Sequence, residues 1–299
     1  LHRVDRRQRQ MCIRDSAIGA ETLLANTTGT RNIGIGSNAL DANTTADDNI
    51  AIGAASLGAN TTGHSNTSVG TYSLDANTTA NSNTAVGKYT LSSNTTGANN
   101  TALGTESLAA NTTASANTAV GYQALNANTT GTQNTSVGNE SMKANTTGGY
   151  NTSLGSIALE SNTTGQYNTA IGRAALNANT TADGNTAIGI SALLANTTGA
   201  SNTAVGQNAL DANTTASNNT AVGKSALTAS TAEGNTAVGK EAMKTNTTGY
   251  RNVAVGKESL ADNTEGDQNV AIGNNALEKN TTADNNTAVG YNSLGANTI

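Results

Sequence analysis

The feature that most limits the fold of this chain is a short internal repeat that runs through nearly all of its length. The repeat is marked by glycines at a constant spacing of 17, apart from one spacing of 16. We call these the anchor glycines: Gly19, Gly36, Gly53, Gly70, Gly87, Gly104, Gly121, Gly138, Gly155, Gly172, Gly189, Gly206, Gly223, Gly239, Gly256, Gly273 and Gly290. Internal repetition at a short fixed period is typical of solenoid proteins, in which each coil stacks on the previous one.

The local pattern within each unit predicts strands rather than helices. A unit reads N-[TVI]-[ASG]-[VIL]-G-x-x-[AST]-[LM]-x-[AS]-N-T-T-[GA]-x-x. The segment N-T-A-V alternates as a strand does, whereas the glycine and the N-T-T-G segment are typical of turns. A helix needs about 10 uninterrupted residues, which no unit provides. We therefore predict an all-β fold, a parallel β-solenoid of about 17 stacked coils with one repeat in each. The one shorter unit, residues 224–239, fits if its deletion falls in a turn.

The first residues do not follow the repeat. Residues 1–16 contain five arginines and Cys12, which is the one cysteine of the chain. Residues 11–16 (M-C-I-R-D-S) look like an in-frame translation of a transposon-type sequencing adapter. We therefore expect residues 1–16 to be a non-native, disordered leader. Residues 17–299 are expected to form one continuous repeat array, a fragment of a longer one.

Two positions of the unit are predicted to form the hydrophobic core. The residue before the anchor glycine is always Ile, Val or Leu, and the fourth residue after it is Leu or Met. We call these the aliphatic column and the leucine column. The predicted core ladder consists of Ile52, Val69, Val86, Val120 and Val205 from the first column and Leu57, Leu74, Leu91, Leu125 and Leu210 from the second. Small residues two before and three after the glycine indicate close packing, either within a coil or against a neighbouring chain.

Asparagine recurs at two further positions, four residues before the anchor glycine (the anchor Asn) and at the start of N-T-T (the turn Asn). Stacked identical amides can bond to one another along the column or satisfy backbone groups of the turns. We predict a structural ladder that includes Asn49, Asn66, Asn83, Asn117 and Asn202.

Composition and motifs argue against catalysis, nucleic-acid binding and a membrane span. The net charge is −5, aromatic residues are 2%, and no apolar run approaches the roughly 20 residues that cross a bilayer. The segment G-I-G-S-N-A at residues 34–39 mimics a dinucleotide fingerprint but lacks a βαβ context. His64 has no partner for metal binding or base catalysis, and no nucleophile–base pair is evident. We predict no enzyme activity, no cofactor and no metal site. Tyrosines fall only at variable positions, so Tyr72, Tyr89, Tyr122, Tyr150 and Tyr167 are candidate surface contacts.

The segments N-I-A-I-G (residues 49–53), N-V-A-V-G (252–256) and N-V-A-I-G (269–273) resemble the N-x-A-[IV]-G signature of YadA-like trimeric autotransporter adhesin heads. The resemblance covers residue 17 to the C-terminus and implies a left-handed parallel β-roll, three chains wrapped together, and attachment to host matrix or other surfaces. The unit here is longer than the typical unit of that family, with the extra length around L-x-A-N-T-T. Its N-T-A-[VI]-G…A-L…N-T-T-G pattern is also similar to arrays in phage tail-fibre proteins.

These observations favour a non-catalytic surface adhesin or fibre segment, expected as a homotrimer on a bacterial cell surface or in the extracellular space. A phage tail-fibre shaft for host recognition, on a virion, is the first alternative. The second is an ice-binding solenoid, suggested by the unbroken threonine column of N-T-T (Thr27, Thr44, Thr61 and onward).

Overall fold

The computed structural model describes residues 15–298, so residues 1–14 of the predicted leader lie outside the described part of the chain. The described residues fall into two compact units, one that ends at Glu140 and one that begins at Ser141. Each described coil contributes one strand of three residues, and turns and bends connect the strands. The first unit holds β1 (Ser16–Ile18), β2 (Ile33–Ile35), β3 (Ile50–Ile52), β4 (Thr67–Val69), β5 (Thr84–Val86), β6 (Thr101–Leu103), β7 (Thr118–Val120) and β8 (Thr135–Val137). The second holds β9 (Thr152–Leu154), β10 (Thr169–Ile171), β11 (Thr186–Ile188), β12 (Thr203–Val205), β13 (Thr220–Val222), β14 (Thr236–Val238), β15 (Val253–Val255), β16 (Val270–Ile272) and β17 (Thr287–Val289).

Within each unit every strand runs parallel to the next strand of the sequence, and equivalent residues lie over one another. Thr84 is the register partner of Thr101, and Ala85 is that of Ala102, one repeat further along the chain. Across the short coil Thr220 pairs with Thr236, so the strand keeps its register although the coil has lost a residue. The deletion therefore falls in the turn before β14, as expected. The prediction of an all-β parallel solenoid is confirmed, whereas its left hand stays a prediction from the resemblance.

The interior of each coil is filled by the leucine column and by small side chains. Leu57, Leu74, Leu91, Leu125 and Leu210 are all 0% exposed, which confirms their place in the core. The small residues two before and three after the anchor glycine meet inside the coil: Ser56 Oγ donates to Ser68 Oγ at 2.7 Å. Their size is therefore explained by packing within the chain.

The prediction that the aliphatic column lies in the core is wrong. The middle residue of each three-residue strand points inward, and the residues on either side point outward because side chains alternate along a strand. The inward residue is Ala, Ser or Gly, so the outward pair is the strand threonine and the aliphatic residue. Ile52 is 37% exposed. The other four predicted members are half-buried: Val69, Val86, Val120 and Val205.

The leucine column adopts a backbone conformation that propensity rules do not predict. Leu91 and Leu125 have φ of 51° and 52°, and equivalent residues throughout the array share this left-handed region. A non-glycine residue there costs about 1–2 kcal/mol. Complete burial of a leucine side chain contributes about 2–3 kcal/mol, which offsets that cost.

The first coil begins earlier than predicted. Asp15 occupies the anchor Asn position, and its carboxylate accepts hydrogen bonds from the backbone N–H of Asn32 and from Asn26 Nδ2, each at 2.7 Å. Burial raises the pKa of Asp15 despite these bonds. Ser16 is the first residue of β1. Both residues belong to the solenoid, so the predicted leader boundary after residue 16 lies two residues too late.

Candidate interaction surfaces

The outer face of the strands carries two parallel columns, one of threonine (with Ile or Val in some coils) and one of aliphatic side chains. Individual members of the aliphatic column are well exposed; Leu103, Leu154 and Ile272 are 47%, 48% and 41% exposed. Surface positions of a soluble protein can carry scattered apolar residues without consequence, but a contiguous apolar patch marks an interaction site. We call this surface the strand face.

The anchor Asn column connects successive coils through side-chain to backbone hydrogen bonds. The backbone N–H of Asn117 donates to Asn100 Oδ1 at 3.0 Å, and Asn117 Oδ1 accepts the N–H of Asn134 at 2.9 Å. Asn117 Nδ2 donates to the carbonyl oxygen of Gly131 at 2.9 Å. All five predicted ladder residues are 0% exposed: Asn49, Asn66, Asn83, Asn117 and Asn202. Their role in this structure is to hold the coils together.

The turn Asn column forms a ladder of amide-to-amide hydrogen bonds between coils. Asn77 Nδ2 donates to Asn60 Oδ1 in the preceding coil at 2.9 Å and to the carbonyl oxygen of Ala80 in its own turn at 3.1 Å. The first threonine of N-T-T also bonds between coils, because Thr44 Oγ1 donates to the carbonyl oxygen of Thr61 at 3.1 Å. The hydroxyl groups of this threonine column are thus engaged by backbone.

The candidate tyrosines are exposed, and the structure brings two pairs of them together. Tyr72 and Tyr89 stack with ring centroids 5.4 Å apart, and Tyr150 and Tyr167 stack at 5.1 Å. Their exposure ranges from 38% for Tyr89 to 62% for Tyr167, whereas Tyr122 at 47% stands in a different column. Each stacked pair forms one aromatic patch that spans two adjacent coils at a turn of the solenoid.

Charged side chains in the turns also pair between coils. Arg31 Nη2 donates to Asp48 Oδ2 at 2.8 Å, and this hydrogen bond lowers the pKa of Asp48. Lys279 Nζ lies 2.9 Å from Asp262 Oδ2, and its hydrogen bond raises the pKa of Lys279. Such exposed pairs stabilise the fold little. They show that the variable turns also stack in register.

A notch opens in the turn surface at the short coil. Asn218, Gly234 and Arg251 are successive members of one turn column, and Glu233 and Tyr250 are successive members of the column beside it. These five residues line a cavity of about 370 Å³. A Cβ added to Gly234 would meet only Arg251 Cγ, at 3.6 Å, so the missing side chain leaves open space in its column. None of these five residues is among the site residues predicted from the sequence.

The short coil also interrupts both asparagine columns. Ser230 replaces the turn Asn, so Asn213 Oδ1 lacks the amide donor that Asn196 Oδ1 receives from Asn213 Nδ2 at 2.8 Å. Asn219 Nδ2 has no acceptor, whereas Asn202 Nδ2 donates to a turn carbonyl oxygen at 2.9 Å. The turn of the short coil therefore departs from the path that the other turns follow.

Two aspartates are placed unfavourably in a half-buried column five residues after the anchor glycine. Burial raises the pKa of Asp75 and of Asp211, and one carboxylate oxygen of each is buried without a hydrogen-bond partner. Asparagine in the same column behaves differently: Asn126 Nδ2 donates to the carbonyl oxygen of Glu106 at 3.0 Å. Asn177 Nδ2 makes the equivalent bond to the Ile157 carbonyl at 2.8 Å.

We therefore expect Asp75→Asn and Asp211→Asn to stabilise the protein at neutral pH, each by about 1 kcal/mol, because an amide can make the missing bond. The wild-type carboxyl groups have raised pKa values in the folded protein, so folding favours their neutral form. Their contribution to the free energy of unfolding is favourable in acid and is lost as pH rises through those pKa values. Urea unfolding at about pH 3 and about pH 7 should show the gain at the higher pH only. The reverse variant Asn126→Asp should introduce the same pH-dependent loss. A gain that is equal at both pH values would contradict the proposed cause.

Residues 15–298 contain no cluster of three or more His, Cys, Asp and Glu side chains arranged to hold a metal ion. None of their elements is a helix long and apolar enough to span a bilayer. No protein-family model matches the chain, and a search of curated proteins finds no match.

Proposed function

We propose that this chain is a non-catalytic segment of an attachment fibre in which three copies pack through their strand faces and display their variable turns to a target surface. The observation that carries the proposal is the aliphatic column, which retains Ile, Val or Leu in every described coil although the fold of one chain leaves it partly exposed. Core packing within the chain does not require aliphatic residues at this position. A partner that covers the strand face would require them.

The period of the strand face favours further copies of the same chain as that partner. The face presents one aliphatic residue per coil, and adjacent strands of a sheet lie about 4.8 Å apart. A partner that covers it along its length needs the same spacing, which a second copy has by construction. Covering the exposed half of a Val or Ile side chain contributes about 1 kcal/mol, so the gain grows with every coil. The number of three copies comes from the resemblance to trimeric adhesin heads.

The variable turns supply the surface for recognition. They carry the stacked tyrosine pairs and the charged residues, whereas the columns that build the solenoid are uniform. A fibre with a uniform shaft and variable turns suits attachment at a bacterial cell surface, in the extracellular space, or on a phage tail that recognises its host.

The oligomeric state tests the proposal. Light scattering of the full chain after size-exclusion chromatography is expected to give three times the mass of one chain. The double variant Val137→Lys/Val205→Lys places charge on the strand face of both units and should give the mass of one chain with a β-rich circular dichroism spectrum. The control Asn139→Lys/Gln207→Lys adds the same charge two residues away, in the exposed column that already contains Lys88 and Lys224, and should remain trimeric. A wild-type protein with the mass of one or two chains would overturn the proposal, as would a trimeric Val variant.

The ice-binding alternative fits the strand threonines better than the N-T-T threonine column. The hydroxyl groups of the N-T-T column bond to the next coil, as Thr44 Oγ1 does to Thr61, so they are poorly available to an ice lattice. The strand threonines, such as Thr84 and Thr101, are exposed beside the aliphatic column and present a hydroxyl and a methyl group in each of these coils. A monomeric protein with thermal hysteresis that disappears on substitution of these threonines would support this second candidate.

A further inference from the structure

We propose that the notch at the short coil is a binding site for an uncharged, hydroxyl-rich ring, such as one hexopyranose unit of a surface glycan. The proposal rests on the attachment function and identifies where on the fibre a ligand is recognised. It depends on the five residues that line the notch, and these all lie in the second unit.

The size of the notch sets the size of the ligand. Its volume of about 370 Å³ lies at the lower end of the range for small-molecule sites, about 300–1,000 Å³. One monosaccharide fills such a space, whereas a folded partner or a long peptide does not enter it. The notch lies at the short coil, where Gly234, with φ of 70°, carries no side chain that could fill it.

The charges of the notch favour a neutral ligand. Glu233 and Arg251 both line the notch, and the backbone N–H of Arg251 donates to the carbonyl oxygen of Glu233 at 3.3 Å. Neither side chain forms an ion pair with another side chain of the described residues. Together they contribute one negative and one positive charge, so the site has no net charge to attract an ion. A carboxylate only accepts hydrogen bonds and a guanidinium only donates them. Hydroxyl groups do both, so a polyol can satisfy the two groups at once.

The remaining walls suit a sugar ring. Asn218 offers an amide that both donates and accepts hydrogen bonds. Tyr250 is 40% exposed and supplies an apolar ring with a polar hydroxyl at its edge. The guanidinium carbon of Arg251 lies over that ring, 5.5 Å from its centre, so the contact holds the cation at the notch. The exposed part of an aromatic ring beside hydrogen-bond donors and acceptors suits the mixed apolar and hydroxyl surface of a hexopyranose.

The turn at the notch differs from the turns of the neighbouring coils in its hydrogen bonding. The buried amide atoms Asn213 Oδ1 and Asn219 Nδ2 lack partners here, whereas their equivalents in neighbouring coils are bonded. Restoring a regular turn would satisfy them. The irregular turn therefore lowers the stability of the solenoid, and a binding role gives a physical reason for its presence.

Saturation-transfer difference NMR on the full chain tests the proposal with methyl glycosides of glucose, galactose, mannose and N-acetylglucosamine. At least one is expected to bind with a Kd on the order of 1 mM. The variant Gly234→Asn should weaken binding at least about tenfold by filling the notch. Asparagine fits this position because Asn99, Asn218 and Asn285 occupy the same column with φ of 59°, 63° and 58°. Glu233→Gln should also weaken binding.

The matched control is Gly184→Asn, in the same turn column with φ of 69° but away from the short coil, and it should bind as the wild type does. The proposal is overturned if none of the four glycosides binds, if Gly234→Asn binds as well as wild type, or if only the acidic sugar N-acetylneuraminic acid binds. Oligomeric mass is measured on the same samples. A missing sugar signal from a three-chain assembly counts against the notch alone, whereas a one-chain mass counts against the fibre proposal.

Discussion

Asn117→Asp should lower the free energy of unfolding at neutral pH by about 3 kcal/mol or more. The change replaces one amide nitrogen by oxygen inside a fully buried column. Asn117 Nδ2 donates to the carbonyl oxygen of Gly131 at 2.9 Å, and a carboxylate oxygen in its place would repel that carbonyl. The new charge would also lie away from water, where an ionised group is costly unless it is paired.

The loss should depend on pH in a defined direction. A buried aspartate at this position is expected to have a raised pKa, because the neutral acid can donate to Gly131 and the carboxylate cannot. The variant should therefore approach the wild type in acid and lose stability as pH rises through that raised pKa. Urea unfolding across this range measures the loss, and hydrogen exchange should show it first in the coils around residue 117.

The control is Asn139→Asp, which makes the same chemical change at an exposed position of a neighbouring coil. It should alter the free energy of unfolding by less than about 0.5 kcal/mol. If the two variants lost equal stability, the anchor Asn column would not hold the coils together as its hydrogen bonds indicate.

The sequence predicted the stacking more fully than it predicted the direction of the side chains. The spacing of the anchor glycines was sufficient for the period and the parallel pairing, because residues at equal intervals must lie over one another in a solenoid. The uniform leucine column was sufficient for the leucine core. The sequence did not reveal that Val86 and Val120 face outward, because a uniform aliphatic column is as compatible with an outward face as with the core. The alternation of side chains along the strand could have predicted this direction. The small residue between Thr and Val fits the crowded interior of the coil, so Thr and Val on either side of it must point outward.

Neither the notch nor the left-handed backbone conformation of the leucines can be predicted from the repeat pattern, and the physical reasons differ. Leu91 takes φ of 51° because the coil must turn there and the buried side chain offsets the strain, a tertiary effect that local propensity does not contain. The deletion before β14 is visible in the sequence, which requires it to fall in a turn if the strands are to keep their register. Its consequence, an open space beside Gly234, depends on how neighbouring turns stack.

Gly121→Ala is the second substitution with a large expected effect, a loss of about 4 kcal/mol in the free energy of unfolding. Gly121 has φ of 135°, a conformation that L-residues with side chains rarely adopt. A Cβ built there would overlap the carbonyl oxygen of Gly138 in the next coil, and its carbonyl carbon would be only 2.7 Å away. Because backbone rather than a flexible side chain blocks the methyl group, the two coils would have to separate.

Gly58→Ala provides the matched control, since it adds the same methyl group to a turn glycine that is not an anchor. Its Cβ would meet Asp41 Oδ1 at 3.3 Å, the end of a flexible side chain, and the same column holds Ala109 and Ala261 in other coils. We expect a change within about 0.5 kcal/mol, measured by urea unfolding. Hydrogen exchange should show lost protection in β7 and β8 for Gly121→Ala alone. A Gly121→Ala protein as stable as Gly58→Ala would mean that the coils do not rely on the close backbone approach, and that the anchor glycines are retained for another reason.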